Sequence, residues 1–274
     1  MIVKLTKTQK IICYTVIIVG IIGMAFFELG KGIIASKIST EHGEWISKTF
    51  SRLCGGIVCC ALIVLLLGTH LLFKYRKGAL KRLLIVLPCF AVAVNNFPFL
   101  SVAMGELTFS TEAANVILYA IFCFSVGFFE EAAFRGCVFS VILDRKNANR
   151  WSVLKASVFS SAVFGIVHIV NLFAGAGIGS VVLQIGYSFL IGALCSVVLV
   201  KTANIWYCVL LHAIYNFAGG VAPEFANGKI WTAPTVILTV IVAVLVTIYT
   251  VALWYNLKKE EIEYISNGVK RRTE

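Results

Sequence analysis

Eight stretches of the chain are almost purely apolar and long enough, or nearly so, to cross a bilayer: roughly 11–27, 53–73, 83–104, 116–143, 152–172, 179–200, 203–221 and 234–256. The polar residues between them gather in short connections, which leave no stretch for a separate soluble domain. Runs of this length are helical in lipid, because only a helix satisfies its own backbone groups there. The pattern predicts an all-α membrane protein, a bundle of about eight transmembrane helices forming one polytopic domain over 1–274. Pro88 and the segment Asn95-Asn96-Phe97-Pro98 interrupt the third run. Proline removes a backbone donor and collides with the preceding turn, so that helix is expected to kink or break. Gly175, Gly177 and Gly179 form a tight uncharged turn, while Gly186, Gly192, Gly219 and Gly220 read as positions of close helix packing.

Composition agrees with the pattern. Of the 274 residues, 59% are hydrophobic and only 14% charged, which excludes a soluble globular domain and a disordered one. The net charge of +11 is sorted by connection. Lys4, Lys7 and Lys10 precede the first run; Lys74, Arg76, Lys77, Lys81 and Arg82 fill the second connection; Arg145, Lys146, Arg150 and Lys155 fill the fourth. Lys201 marks the sixth, and Lys258, Lys259, Lys270, Arg271 and Arg272 follow the last run. The alternate connections mix Lys31, Lys37, Lys48, Arg52 and Lys229 with Glu28, Glu41, Glu44 and Glu224, and the third holds only Glu106 and Glu112. This asymmetry predicts a multi-pass protein of the cell membrane with both termini cytoplasmic. The basic excess is a topology signal with a contribution from anionic lipid, so the bilayer is the expected partner and nucleic acid is not. The first run is longer than a signal-peptide core and no small-residue cleavage site follows it, so it reads as a helix. The nine cysteines form no C-x-x-C pair and read as small hydrophobes.

Three charges lie inside the fourth run: Glu130, Glu131 and Arg135. Each costs roughly 2.5–3.5 kcal/mol at a helix centre, so intramembrane charges mark a functional site by default. Glu131 and Arg135 are four residues apart and share a helix face, with the acid on the favourable N-terminal side. Glu130 is turned about 100° from Glu131, so one arginine cannot easily satisfy both. Glu131 is then the structural carboxylate and Glu130 the available one. His168 lies in the fifth run, four residues after Phe164; His212 and Asn216 share one face of the seventh. His42 and His70 fall in or near polar connections and look incidental. At 1.5 Å per residue from the basic ends, Glu130, His168 and Asn216 lie roughly 20 Å deep and His212 roughly 13 Å. All four can share one depth.

A carboxylate with a nearby imidazole can take a proton from water that then attacks a carbonyl. A histidine or asparagine side chain can donate hydrogen bonds to the oxyanion that forms. Hydrolysis of a peptide bond within or beside the membrane fits the set. The chain holds no G-x-S-x-G elbow and no H-E-x-x-H helix, so serine-hydrolase and zincin chemistry has no support.

At these residues the chain resembles the CPBP family, the CAAX protease and bacteriocin-processing (Abi) intramembrane endopeptidases. Glu130-Glu131-x-x-x-Arg135 is similar to the family's E-E-x-x-x-R, Phe164-x-x-x-His168 to its F-x-x-x-H, and His212-x-x-x-Asn216 to its H-x-x-x-N. The motif core extends over about 116–221. The resemblance implies an eight-helix bundle with a polar intramembrane cavity open toward the cytoplasm. It implies proteolysis of a peptide or membrane-protein substrate, with Glu130 and His168 activating water, His212 and Asn216 holding the oxyanion, and Glu131 with Arg135 organising the site. The short loops resemble those of bacterial members, linked to peptide processing and bacteriocin self-immunity, which argues against a prenylated substrate. Glu130, His168 and His212 could supply a three-ligand zinc site with an open position, or work without metal. The spacing does not choose between them, and metal-free chemistry is preferred. The alternative is a non-proteolytic membrane partner protein that confers bacteriocin immunity or regulates a sensor. A transporter lacks support, because the chain has no paired broken helices or repeats.

Overall fold

Six helices in the computed structural model are long and apolar enough to cross a membrane, counted among the described residues, which are 43–67, 78–143 and 148–267 with a few isolated positions between 8 and 18. In chain order the helices are α1 (Gly43–Leu67), α2 (Ala79–Val86), α3 (Phe90–Asn95), α4 (Phe99–Ala103) and α5 (Ala113–Ile142). They continue as α6 (Arg150–Val167), α7 (Val170–Phe173), α8 (Ile178–Thr202), α9 (Ile205–Phe225), α10 (Ala233–Tyr255) and α11 (Lys259–Asn267). The expected first span lies almost wholly outside the described residues, as do His42 and His70.

The third expected span is not one helix. A 3₁₀ turn at Leu87–Cys89 forms around Pro88 between α2 and α3, and Pro98 directly precedes α4. The two prolines thus divide the run where the missing donors predict. α1 starts about ten residues before the expected run and carries Lys48 and Arg52 into the helix. No proline interrupts that stretch, and the Arg52 guanidinium lies 5.1 Å from the centre of the Phe122 ring, a cation–π contact that favours its burial.

α5 is the central helix, packed between α1 and α9, while α6 packs on α8. A Cβ at Gly127 would sit 2.9 Å from the Val209 carbonyl oxygen and 3.0 Å from the Ala213 nitrogen, so glycine lets α5 and α9 meet backbone to backbone. α6 begins with a capping box: the Asn149 side chain accepts from Trp151 N and Ser152 N at 2.8 and 3.0 Å, and Asn149 N donates to Ser152 Oγ at 2.9 Å. Only 11% of the apolar window of α10 is buried, so its outward face needs lipid.

The two ends of the bundle are built differently. At the basic end, α11 folds across the helix termini and buries Ile262 and Ile265. Glu261 accepts there from Arg82 Nη1 at 3.1 Å, Lys201 Nζ at 3.0 Å and the Lys258 nitrogen at 2.9 Å. At the other end, β1 (Leu107–Phe109) pairs antiparallel with β2 (Ala226–Gly228). Ser101 Oγ meets Thr232 Oγ1 and Thr235 Oγ1 at 3.2 and 2.8 Å, tying α4 to the start of α10. All five tryptophans lie near helix ends: Trp45 and Trp231 at the β end, Trp151, Trp206 and Trp254 at the basic end. Such belts mark the two membrane–water interfaces.

Candidate active site

Glu130 and Glu131 end the regular α-helical part of α5, and the next eight residues, Ala132–Phe139, are π-helical and wholly buried. A π-helical stretch widens the turn and recurs at functional sites. Here it carries Arg135, whose Nε lies 3.2 Å from Glu131 Oε2 with both side chains fully buried. The same Nε donates to the Gly192 carbonyl oxygen at 3.4 Å, and the guanidinium carbon stands 4.6 Å above the Phe164 ring centre. A Cβ at Gly192 would collide with the guanidinium and approach Ser161 Oγ to 2.8 Å, so the missing side chain makes the space that Arg135 fills. The packing expected of the glycines holds at Gly192, at Gly219 against Asn96 and at Gly220 against Tyr119; Gly186 faces open space.

His212, on α9, bridges the two glutamates. Its Nδ1 is 2.8 Å from Glu131 Oε1 and its Nε2 is 3.4 Å from Glu130 Oε2. A carboxylate next to each ring nitrogen has a direct consequence. The ring can donate from Nδ1 to Glu131, and an Nε2–H, when present, faces Glu130. His168, at the end of α6, has Nδ1 2.9 Å from the Phe164 carbonyl oxygen, its i−4 neighbour. A carbonyl can only accept, so Nδ1 is the donor and a neutral His168 keeps its lone pair on Nε2. The Phe164 ring lies edge-on to both imidazoles, with centroids 5.1 Å from His168 and 5.7 Å from His212.

Glu130, His168, His212 and Asn216 all line one cavity of about 1020 Å³. Glu131 and Arg135 lie behind its wall. Glu130 keeps 15% of its side chain exposed, while Glu131 keeps none. The four residues thus open on one cavity. Asn96, Asn171, Gln184, Tyr187 and Tyr215 also line the cavity and were not singled out from sequence. Gln184 carried a usable signal, an amide inside an apolar run, the same flag that drew attention to Asn216. Asn96 sits in the proline-broken segment and donates to the Tyr215 carbonyl oxygen at 3.0 Å, one residue before Asn216.

The cavity is long: its lining runs from Tyr119 near the start of α5, Asn171 after α6 and Trp231 at one end to Val246, Thr250 and Val251 of α10 toward the other. Phe139, Leu199 and Ile205 are fully buried beside the site. Among the described residues, the side-chain donor atoms that lie together, all within 4.8 Å, are those of Glu131, Cys195 and Cys208. The atoms of Glu130, His168 and His212 do not converge in this way, so the candidate zinc set does not fit as placed. The Glu131 carboxylate is already engaged by Arg135 and His212, which leaves the cysteine pair beneath it as packing.

Residues 112–218 match the model of a family described as type II CAAX prenyl endopeptidase, Rce1-like. No curated protein and no solved structure matches the chain.

Proposed function

We propose, from the match of residues 112–218 to the type II CAAX prenyl endopeptidase model, that the chain cleaves a peptide bond in or near the bilayer with water activated by Glu130 and His168. The observation that carries this reading is the bridging of Glu130 and Glu131 by His212 at the wall of a largely apolar cavity. Water held between the Glu130 carboxylate and His168 Nε2 loses a proton to Glu130 as its oxygen bonds to the scissile carbonyl carbon. Once Glu130 is protonated, the Nε2–H of His212 no longer has an anion to pair with and donates to the oxyanion alongside the Asn216 amide. Glu131 holds the imidazolium through Nδ1, and Arg135 holds Glu131. Collapse of the tetrahedral intermediate breaks the C–N bond as Glu130 returns its proton to the leaving amine. One water is consumed and the side chains end as they began.

The substrate class that fits is a peptide or membrane protein, including bacteriocin- or pheromone-like peptides. Both termini lie in the cytoplasm of a cell-membrane protein on this reading, as the charge asymmetry supports. Comparing membrane peptidomes of cells that express the chain with those that express Glu130→Gln tests it. Cleavage products present only with the unsubstituted chain are expected, and identical peptidomes would overturn the protease assignment.

A further inference from the structure

We infer that the guanidinium of Arg135 and the hydroxyls of Ser161 and Ser157 bind one water molecule in a site of their own behind the cavity wall, and that this water fixes Arg135 against Glu131. The inference goes beyond the proteolytic reading and does not depend on it.

Four polar atoms carry it. Arg135 Nη1 and Nη2, Ser157 Oγ and Ser161 Oγ are buried and have no hydrogen-bond partner among the described residues. Arg135 and Ser161 are fully buried, Ser157 is 4% exposed, and none of the three lines the cavity, so they are set apart from it. Buried polar groups are nearly always paired, either with protein or with ordered water. The two serines also depart from the habit of the other helical hydroxyls. Ser196, Thr202, Thr239, Thr247 and Thr250 each donate to the carbonyl four residues back at 2.7–2.9 Å. Ser160, beside Ser161, instead donates to the Phe134 carbonyl oxygen at 2.9 Å and ties α6 to the π-helical stretch. Ser157 and Ser161 do neither.

The four atoms share a place in the fold. Ser157 and Ser161 are four residues apart and lie on one face of α6, and Phe164 of the same helix covers the guanidinium at 4.6 Å. Gly192 of α8 brings the groups together: the point its Cβ would take lies 2.8 Å from Ser161 Oγ and closer still to Arg135 Nη2. Both groups face one point without bonding each other, the arrangement of two groups bridged by a third.

Water matches the set by count. It accepts two hydrogen bonds and donates two. The Nη edge of a guanidinium can only donate, and each serine oxygen can accept. Arg135 is otherwise held through Nε alone, which faces Glu131 and the Gly192 carbonyl oxygen, and a guanidinium held at one atom can swing. Fixing its Nη edge to α6 keeps Glu131, and through it His212, in register with the helix that also carries His168. An anion would fill the same positions, but Glu131 Oε2 at 3.2 Å already matches the Arg135 charge, and a second buried negative charge would lie uncompensated. Pairing through water costs ordering entropy, so this cluster stays less stable than one closed by protein groups alone.

Two measurements test the site. The full chain, purified in lipid, is crystallised with and without bromide and solved at a resolution that shows ordered solvent. The expected result is a single peak within hydrogen-bond distance of an Arg135 Nη atom and of Ser161 Oγ, with no anomalous signal from bromide. A bromide signal at that point overturns water in favour of an anion. Hydroxyls turned to their own helix carbonyls, or bonded directly to the guanidinium with no peak between, overturn the site itself. The second measurement needs no crystal: Ser157→Ala, Ser161→Ala and the double variant are compared by thermal unfolding in detergent. Each single change should lower the midpoint, and the double variant should lose clearly less than both single losses combined, because the two hydroxyls hold one water. Additive losses would mean that the serines hold nothing in common. Neither measurement needs turnover, so unchanged peptidomes in Glu130→Gln cells would remove the protease reading and leave the water site standing.

Discussion

Glu131 and Glu261 are both buried carboxylates facing basic side chains, and they differ in what is left unsatisfied. Glu261 uses both oxygens, accepting from Arg82, Lys201 and a backbone nitrogen, and Lys201 gives a further hydrogen bond to the Asn256 carbonyl oxygen at 2.9 Å. Around Glu131, the Arg135 Nη1 and Nη2 atoms have no hydrogen-bond partner among the described residues, and neither do the hydroxyls of Ser157 and Ser161. A polar network is most stable when every member is paired, so the cluster at the basic end reads as architecture. The mid-membrane cluster gives up part of that stability to hold His212 against two carboxylates. The difference separates a lock from a working site, although both would be scored simply as buried ion pairs.

The strongest way to break the comparison is through the third glutamate. Glu130 contacts His212 but leaves no basic residue uncompensated when neutralised, so Glu130→Gln should keep folded protein near its normal level. Cleavage should fall roughly 10²–10⁴-fold, the range typical of a lost general base, measured on the purified protein with a substrate taken from the peptidome comparison. A loss of folded protein as large as the loss of rate would merge the two roles. Next in size is Glu131→Ala, which leaves Arg135 buried without its partner. Breaking a buried pair costs about 3–5 kcal/mol, so thermal unfolding in detergent should shift down sharply and activity should fall with it. A variant as stable as the unsubstituted chain would mean that Arg135 does not depend on Glu131.

Glu261→Ala should match that loss of stability and spare activity. Arg82 keeps 16% of its side chain exposed and can turn toward water, but Lys201 keeps only 7% and loses its carboxylate, so the loss should be about 3–5 kcal/mol, with cleavage per folded molecule unchanged. A selective fall in turnover would make the basic end part of the working site. The smallest expected effect is that of chelation. Because the donor atoms of Glu130, His168 and His212 do not converge, exhaustive chelation should leave the rate unchanged and purified protein should hold well under one equivalent of metal. Activity lost to chelator, restored by a divalent ion and matched by metal loss in His168→Asn and His212→Asn, would replace the metal-free mechanism while leaving the protease assignment intact.

Much of this was legible in the sequence because helical geometry is local. The four-residue spacing of Glu131 and Arg135 places them on one face, and they do pair. Pro88 and Pro98 divide the third run because a missing donor acts within one turn. The extent of α1 was misjudged because its first turns are polar, and their burial depends on Phe122 of another helix. The bridging role of His212 and the entry of Asn96 into the cavity were likewise invisible. Both depend on which faces of separate helices meet, and helix periodicity says nothing about neighbours. The packing of α11, a short amphipathic segment outside every apolar run, was equally illegible.

That clasp also has a timetable. Glu261 follows Lys201 by 60 positions and Arg82 by 179, so both cations enter the nascent bundle long before their anion is made. A chain cut after Tyr255 would carry every motif of the site and yet leave Lys201, now nearly buried, without its carboxylate. During biogenesis Arg82 and Lys201 are therefore neutralised late, after every motif of the site has been made.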